Sequence, residues 1–240
     1  MNDNYYRDLY IQWLSDPVEG PKGARTRARG IETWKNFQTV LPQGKRELDL
    51  QYAANGCLAD GRYVWTWSDQ HFGHKNIIEF SNRPYPNLEL MHECMILNHN
   101  DYVQPNDVCI WVGDFAFMKD DAANEILHQM NGYKILILGN HDIQGNKVKK
   151  LHFDEIRLLA NFDVPVTNRT APVQLVFTHY PMHNLPKKVM NIHGHEHVSF
   201  MHSSGSSQHI NVNCELHGYR PISLQSVVQL IEKRIENGNF

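Results

Sequence analysis

The stretch ILILGNHD (135–142) joins four aliphatic residues to a glycine, an amide, an imidazole and a carboxylate. An apolar run without alternation is expected of a strand covered on both faces. The polar half cannot enter a core without partners. In open α/β sheets, ligands gather beyond the carboxyl ends of the strands. The stretch therefore reads as a buried strand that delivers Asn140, His141 and Asp142 to a rim where something binds.

Outward from it, short apolar runs bounded by turn formers predict strands at RYVWTW (62–67), DVCIWVG (107–113), VQLVFT (173–178) and HINVNC (209–214), beside KILILG (134–139). Amphipathic segments predict helices over 87–101 and 119–131, and Asn76 is placed to cap a helix after it. A final helix is expected over 223–238, capped by Ser223 and ended by Gly238. Strand–helix alternation early and strand-rich sequence later place the chain in the α/β class, a layered fold in which two sheets can pack face to face.

The length of 240 residues suits one domain with an extension. Residues 61–240 are expected to form the main domain, and 1–60 an N-terminal extension, partly helical over 5–14 and near 31–37. KGARTRARG (22–30) carries four cations and no acid, which reads as a solvated basic loop or as an arm for phosphate or nucleic acid. SSGSS (203–207) reads as a flexible loop. A net charge of −3 argues against a globally basic nucleic-acid binder. No apolar run approaches the roughly 18–20 residues of a membrane span. The N-terminus lacks the layout of a secretory signal, and the scattered cysteines 57, 94, 109 and 214 form no C-x-x-C pair, so a reducing cytoplasm is expected.

The outlying feature is fifteen histidines. Six of them fall within the five polar clusters that stand at or near the ends of the apolar runs, all but GD containing at least one: SDQH (68–71), GD (113–114), GNHD (139–142), TH (178–179) and HGHEH (193–197). Their side chains, Asp69, His71, Asp114, Asn140, His179, His195 and His197, mix oxygen and imidazole donors without a thiolate. That set suits Mn²⁺, Fe²⁺, Zn²⁺ or Ni²⁺ better than a calcium cage or a structural zinc. Seven donors exceed the needs of one ion with open positions and fit two ions sharing a carboxylate. Glycines 113, 139 and 194 beside donors allow sharp turns and close approach.

The order D-x-H, G-D, G-N-H-D, lone His, G-H-x-H resembles the calcineurin-like metallophosphoesterases, and SDQHFGHKNI looks like their small bacterial and phage members. The resemblance spans roughly residues 62–235. It implies a two-sheet β-sandwich flanked by helices with a dinuclear site at the strand rim. Asp69, His71 and His197 would hold one ion, Asn140, His179 and His195 the other, with Asp114 bridging and Mn²⁺ favoured. His141 would face the phosphate as the catalytic group, and His74 and Asp142 would stand behind the ligands or against the substrate. The implied activity is hydrolysis of phosphate esters, phosphodiesters first, by in-line attack of a metal-bridging hydroxide. The G-D-x-x-D-R-G arginine that grips a monoester is missing from GDFAFMKD (113–120), which tilts the expectation towards diesters. The expected partner is a phosphoester, nucleotide-like in one reading, with no membrane involved. A nuclease acting on DNA or RNA is the alternative, ahead of a phosphomonoesterase or a non-catalytic metal-binding scaffold. Nothing in the sequence sets an oligomeric state. His92, His99 and His128 read as packing or surface residues, His183 and His217 as outside candidates near the rim, and Glu196 as pointing away from the metals.

Overall fold

The structure is a computed structural model whose described residues are 48–144, 147–148, 150–167, 169–197 and 207–238. The helices expected near 5–14 and 31–37, the basic stretch 22–30 and most of the 203–207 loop lie outside them.

Two mixed sheets flanked by helices build the fold. One is ordered β13 (Ile222–Ser223), β3 (Val64–Trp67), β4 (Val108–Trp111), β5 (Tyr133–Ile137), β8 (Glu155–Arg157). In it β3, β4, β5 and β8 run parallel and β13 antiparallel. The other is ordered β12 (His209–Asn211), β11 (Val189–His193), β10 (Val173–Thr178), β9 (Ala160–Val164), with only β9 antiparallel. Two short hairpins complete the strands: β1 (Tyr52–Ala54) with β2 (Cys57–Leu58), and β6 (Ile143–Gln144) with β7 (Lys147–Val148). The helices are α1 (Ile77–Phe80), α2 (Leu88–Tyr102), α3 (Asp120–Leu127) and α4 (Leu224–Glu236).

Alternation along the central strands produces two cores. Ile110, Ile135 and Ile137 face Leu175, Phe177 and Ile192 of the other sheet in one apolar cluster. Trp111, Leu136 and Leu138 point the other way, onto Met91 and Met95 of α2 and Ala123 and Leu127 of α3. This is why ILIL needs no polar face: every one of its residues has a hydrophobic neighbour on its own side. Leu50 and Leu58, flanking β1, join the inter-sheet core together with Val227 and Ile231 of α4.

Boundaries follow local chemistry. The Asn87 side chain accepts from Leu90 N to start α2, and Ser223 Oγ accepts from Ser226 N to start α4. Asn76 occupies the cap position of α1, but its side chain makes no capping bond. α3 stops at Leu127, short of the expected 131. Several strands were not expected from the sequence, among them β8, β9 and β13; the one that bears on the site is β11, fully buried and central, which leads directly into HGHEH. Asn191 disguises it. That amide is buried because it donates to Val176 O at 3.0 Å and Thr178 Oγ1 at 2.8 Å and accepts from Met182 N at 2.8 Å.

Candidate metal centre

Parallel register puts the ends of β3, β4 and β5 side by side, with Trp67 opposite Trp111 and Trp111 opposite Leu136. Thr178 and His193 are likewise paired at the ends of β10 and β11. The two rims are then laced together. Asp69 N donates to Gly113 O and His71 N to Asp114 O, while Gly194 N donates to His179 O. His195 N donates to the Asp69 carboxylate at 3.0 Å, across from the other sheet.

All seven donors expected from the sequence meet there. His71 Nε2 stands 3.1 Å from His197 Nε2 and 3.9 Å from Asp69 Oδ1, and His197 Nε2 is 3.6 Å from the same oxygen. Asp114 Oδ2 is 3.6 Å from His71 Nε2 and 3.4 Å from His179 Nε2. His179 Nε2 is also 3.1 Å from Asn140 Oδ1, and the His179 and His195 rings lie 5.2 Å apart. Asp69–His71–His197 and Asp114–His179–His195 each gather their ligand atoms tightly enough for one ion, and Asp114 also groups with His71 and His141. The His141 Nε2 is 4.0 Å from Asp114 Oδ2 and its side chain is 32% exposed, against 2% or less for His71 and His179. Of these three imidazoles, His141 is the one open to an arriving molecule.

The backbone is bent to achieve this. Asp69, His71, Asp114 and His195 all take left-handed φ values, between 53° and 70°. Such conformations are uncommon for residues with a Cβ and collect at functional sites. Gly139 and Gly194 are required for space rather than for φ. A Cβ at Gly139 would lie 2.3 Å from Asp114 Oδ1, and one at Gly194 2.4 Å from Asp69 Oδ2.

The electrostatics fit a cation. Burial raises Asp69, only partly offset by His179 and His197. Burial also acts on Asp114, but His179, His71 and His141 hold its carboxyl well below the usual range. Burial disfavours charge on His179, yet Asp114 raises it to about 10. Its Nδ1 donates to Val112 O at 2.8 Å, so the Nε2 proton sits among the other donors, where a cation would replace it. Burial drives His195 down to about 3 and His71 well below its ordinary value, leaving neutral lone-pair donors. Two buried carboxylates, four imidazoles and an amide with no thiolate match the preferences of a first-row divalent ion.

Behind the donors lie partners that sequence alone did not single out. Glu215 Oε1 accepts from His197 Nδ1 at 3.0 Å and pairs with Arg83 at 2.8 Å. Arg83 donates to the carbonyls of Asp69 and Gln70, each at 2.7 Å. The strand-end rule, extended past β12, reaches Glu215; Arg83, in the loop after α1, carries no such signal. Asp142 stands behind the donors, as the sequence reading allowed. It accepts from Gly139 N, Asp114 N and Phe115 N, pinning the Asp114 turn to the β5 end. His74 lies beside the donors, its ring 5.5 Å from His71 and 6.1 Å from His141. Tyr180, also unforeseen, covers His195 with rings 4.4 Å apart and donates from its hydroxyl to Asn140 Oδ1 at 3.3 Å. Among the remaining histidines, His92 accepts from Gly73 N, His99 is fully buried, His128 meets His152 at the surface, and His217 bonds Asn211 O.

No family model matches the chain. A Methanocaldococcus jannaschii protein, the uncharacterized MJ1445, is 32% identical over 178 residues, covering 72% of this chain and 93% of its own. The crystal structure of AQ665 from Aquifex aeolicus, a protein of unknown function, aligns at a TM-score of 0.51 and 23% identity, over 70% of this chain and 98% of that one. That likeness concerns the fold alone. Phosphopantetheinyl hydrolase from Mycobacterium tuberculosis aligns over 49% of this chain at a TM-score of 0.22, too loosely to bear on the site.

Proposed function

This chain belongs to the family of the M. jannaschii protein MJ1445, and we propose that it is a dinuclear metal-dependent phosphodiesterase of the calcineurin-like metallophosphoesterase kind. The observation that carries this reading is the meeting of donors from five strand ends in two sheets around one carboxylate, Asp114. Asp69, His71 and His197 would hold one ion, Asn140, His179 and His195 the other, and Asp114 both. Two divalent ions held there, Mn²⁺ the first candidate, would supply neutralisation of the phosphoryl oxygens and a more acidic water.

The chain's own residues supply the rest. Asn140, as a neutral donor, limits the negative charge an anionic ester must approach. His141, the open imidazole beside Asp114, is placed to hold a proton at the departing oxygen. Glu215 fixes which His197 nitrogen faces the donors, and Asp142 fixes the Asp114 turn. Arg83, the buried cation behind the cluster, is occupied by Glu215 and two carbonyls, so it does not reach a phosphate. Without a guanidinium clamp among the described residues, a singly charged diester is the better match than a doubly charged monoester.

Purified protein loaded with Mn²⁺ should hydrolyse a chromogenic phosphodiester faster than the matching monoester or single-stranded DNA. Chelation should abolish the activity and Mn²⁺ restore it. Absence of turnover on every phosphoester with each of Mn²⁺, Fe²⁺, Zn²⁺ and Ni²⁺ would sink the reading.

A further inference from the structure

Beside the metal donors runs a row of aromatic rings that the chemistry above does not use. Phe80, at the end of α1, is 70% exposed, and Phe117, in the loop after β4, is 51% exposed. Both lead to His74, with centroids 6.2 Å and 4.8 Å away. Phe117 meets His141 edge-on at 5.2 Å and 83°, and His141 meets His71 at 5.0 Å. The rings thus form an unbroken path from solvent to the group proposed to act on the ester.

The path is held rigidly. Phe117 N donates to Phe72 O at 2.7 Å, and Phe72 pairs with Ala116 in a parallel bridge. Gly73 N donates to His92 Nε2 at 2.8 Å. At Gly73, φ is +80° and a Cβ would strike Met118 at 2.6 Å, so the His71–His74 turn lies tight against the Phe117 loop. Two phenyl groups this exposed, set by a fixed loop pair next to a catalytic opening, offer apolar ring surface to a molecule that enters there. Flat rings in tilted and edge-on contact suit another flat ring better than an alkyl chain. Aromatic platforms of this kind accept any base, because every base has a π-face.

We propose, resting on the phosphoesterase reading for the phosphate half, that Phe80 and Phe117 form a stacking platform for a planar, nucleobase-class ring carried by the ester. The phosphate end lies over Asp114 and His141, and the ring end lies on the two phenyls. The substrate class is therefore a nucleotide ester, whether free or at the end of a strand.

Calorimetric binding to the manganese-loaded protein separates the two halves. AMP should bind about tenfold more tightly than ribose 5-phosphate, a typical gain from base stacking. In Phe80→Ala and Phe117→Ala, both at exposed positions and therefore expected to fold, that advantage should shrink to about twofold or less. Equal binding of AMP and ribose 5-phosphate, or an advantage that survives both substitutions, overturns the platform while leaving the phosphoesterase reading intact. Hexyl phosphate gaining as much as AMP also overturns it, since the patch would then be merely apolar. Adenosine binding that is lost in the two variants, with no turnover of any phosphodiester by the metal-loaded protein, keeps the platform and removes the phosphate reading. A thymidine trinucleotide binding better than AMP would identify a strand end as the source of the ring, and the reverse a free nucleotide.

Discussion

At the residue scale the site depends on what each position lacks as much as on what it carries. Gly139→Ala would push a methyl against Asp114 Oδ1 and the Asp114 amide, 2.3 Å and 2.5 Å away. The turn must shift, and Asp114 with it. We expect loss of metal binding and a stability cost of about 1–3 kcal/mol, typical of overpacking, read as metal content and a denaturation midpoint. Asp114→Asn should impair binding of both ions, because its Oδ2 lies near donors of both groups. His141→Ala should retain metal and lose turnover by about a hundredfold or more, the usual weight of general acid catalysis. Metal loss on His141→Ala would show that the third grouping, His71–Asp114–His141, is a binding site in its own right.

At the element scale, α2 is tied to the sheet by a buried histidine. The His99 ring stacks between Trp67 and Trp111 at 5.5 Å and 5.1 Å, and its Nε2 donates to Asn131 O at 3.0 Å. Burial pushes its pKa down to about 4, despite that hydrogen bond. Since the unfolded residue titrates near 6.5, the unfolded chain binds more protons between these values. The contribution of a neutral His99 is thus complete above about pH 6.5 and lost as pH falls towards 4, about 3 kcal/mol in all. Urea midpoints measured from pH 7 to 4.5 should fall more steeply for the wild type than for His99→Phe; parallel slopes would refute the assignment. The 3₁₀ turn Cys214–His217 has a comparable duty at the rim, since it brings Glu215 to His197 and Arg83. Glu215→Gln should weaken metal binding about 10- to 100-fold, the usual effect of losing a carboxylate behind a metal-bound histidine.

At the scale of the whole molecule, a cluster of buried carboxylates and imidazoles spans both sheets, so an ion bound there clamps them. Saturation at a hundred times Kd contributes about 2.7 kcal/mol per site, enough to raise the thermal midpoint by roughly 5–10 °C in a chain of this size. A midpoint unmoved by Mn²⁺, Fe²⁺, Zn²⁺ and Ni²⁺ would contradict a metal centre at this rim. No described helix is long and apolar enough to cross a membrane. All four cysteines are free.

How much of this was legible depended on whether the information is local. ILIL announces a doubly covered strand through its own residues, and β10 coincides with the predicted VQLVFT because its apolar run is uninterrupted. The residues just beyond each strand could be read as a rim because a parallel sheet must bring its strand ends together. β11 escaped because Asn191 breaks its pattern, and only contacts with Val176 and Thr178 on the neighbouring strand and with Met182 N make that amide welcome.

The sequence by itself determined the α/β class, the main strands and which polar residues stand at the strand ends, since hydrophobic period and strand-end position are properties of short segments. Tertiary structure decided the rest. It set that Asp142 braces Asp114 across 28 residues, and that Arg83 and Glu215, 132 residues apart, lock the Asp69 loop. It also brought Phe80 and Phe117 to the mouth of the site. Those relations depend on packing between distant elements, and a buried charge or an exposed ring has meaning only once its neighbours are in place.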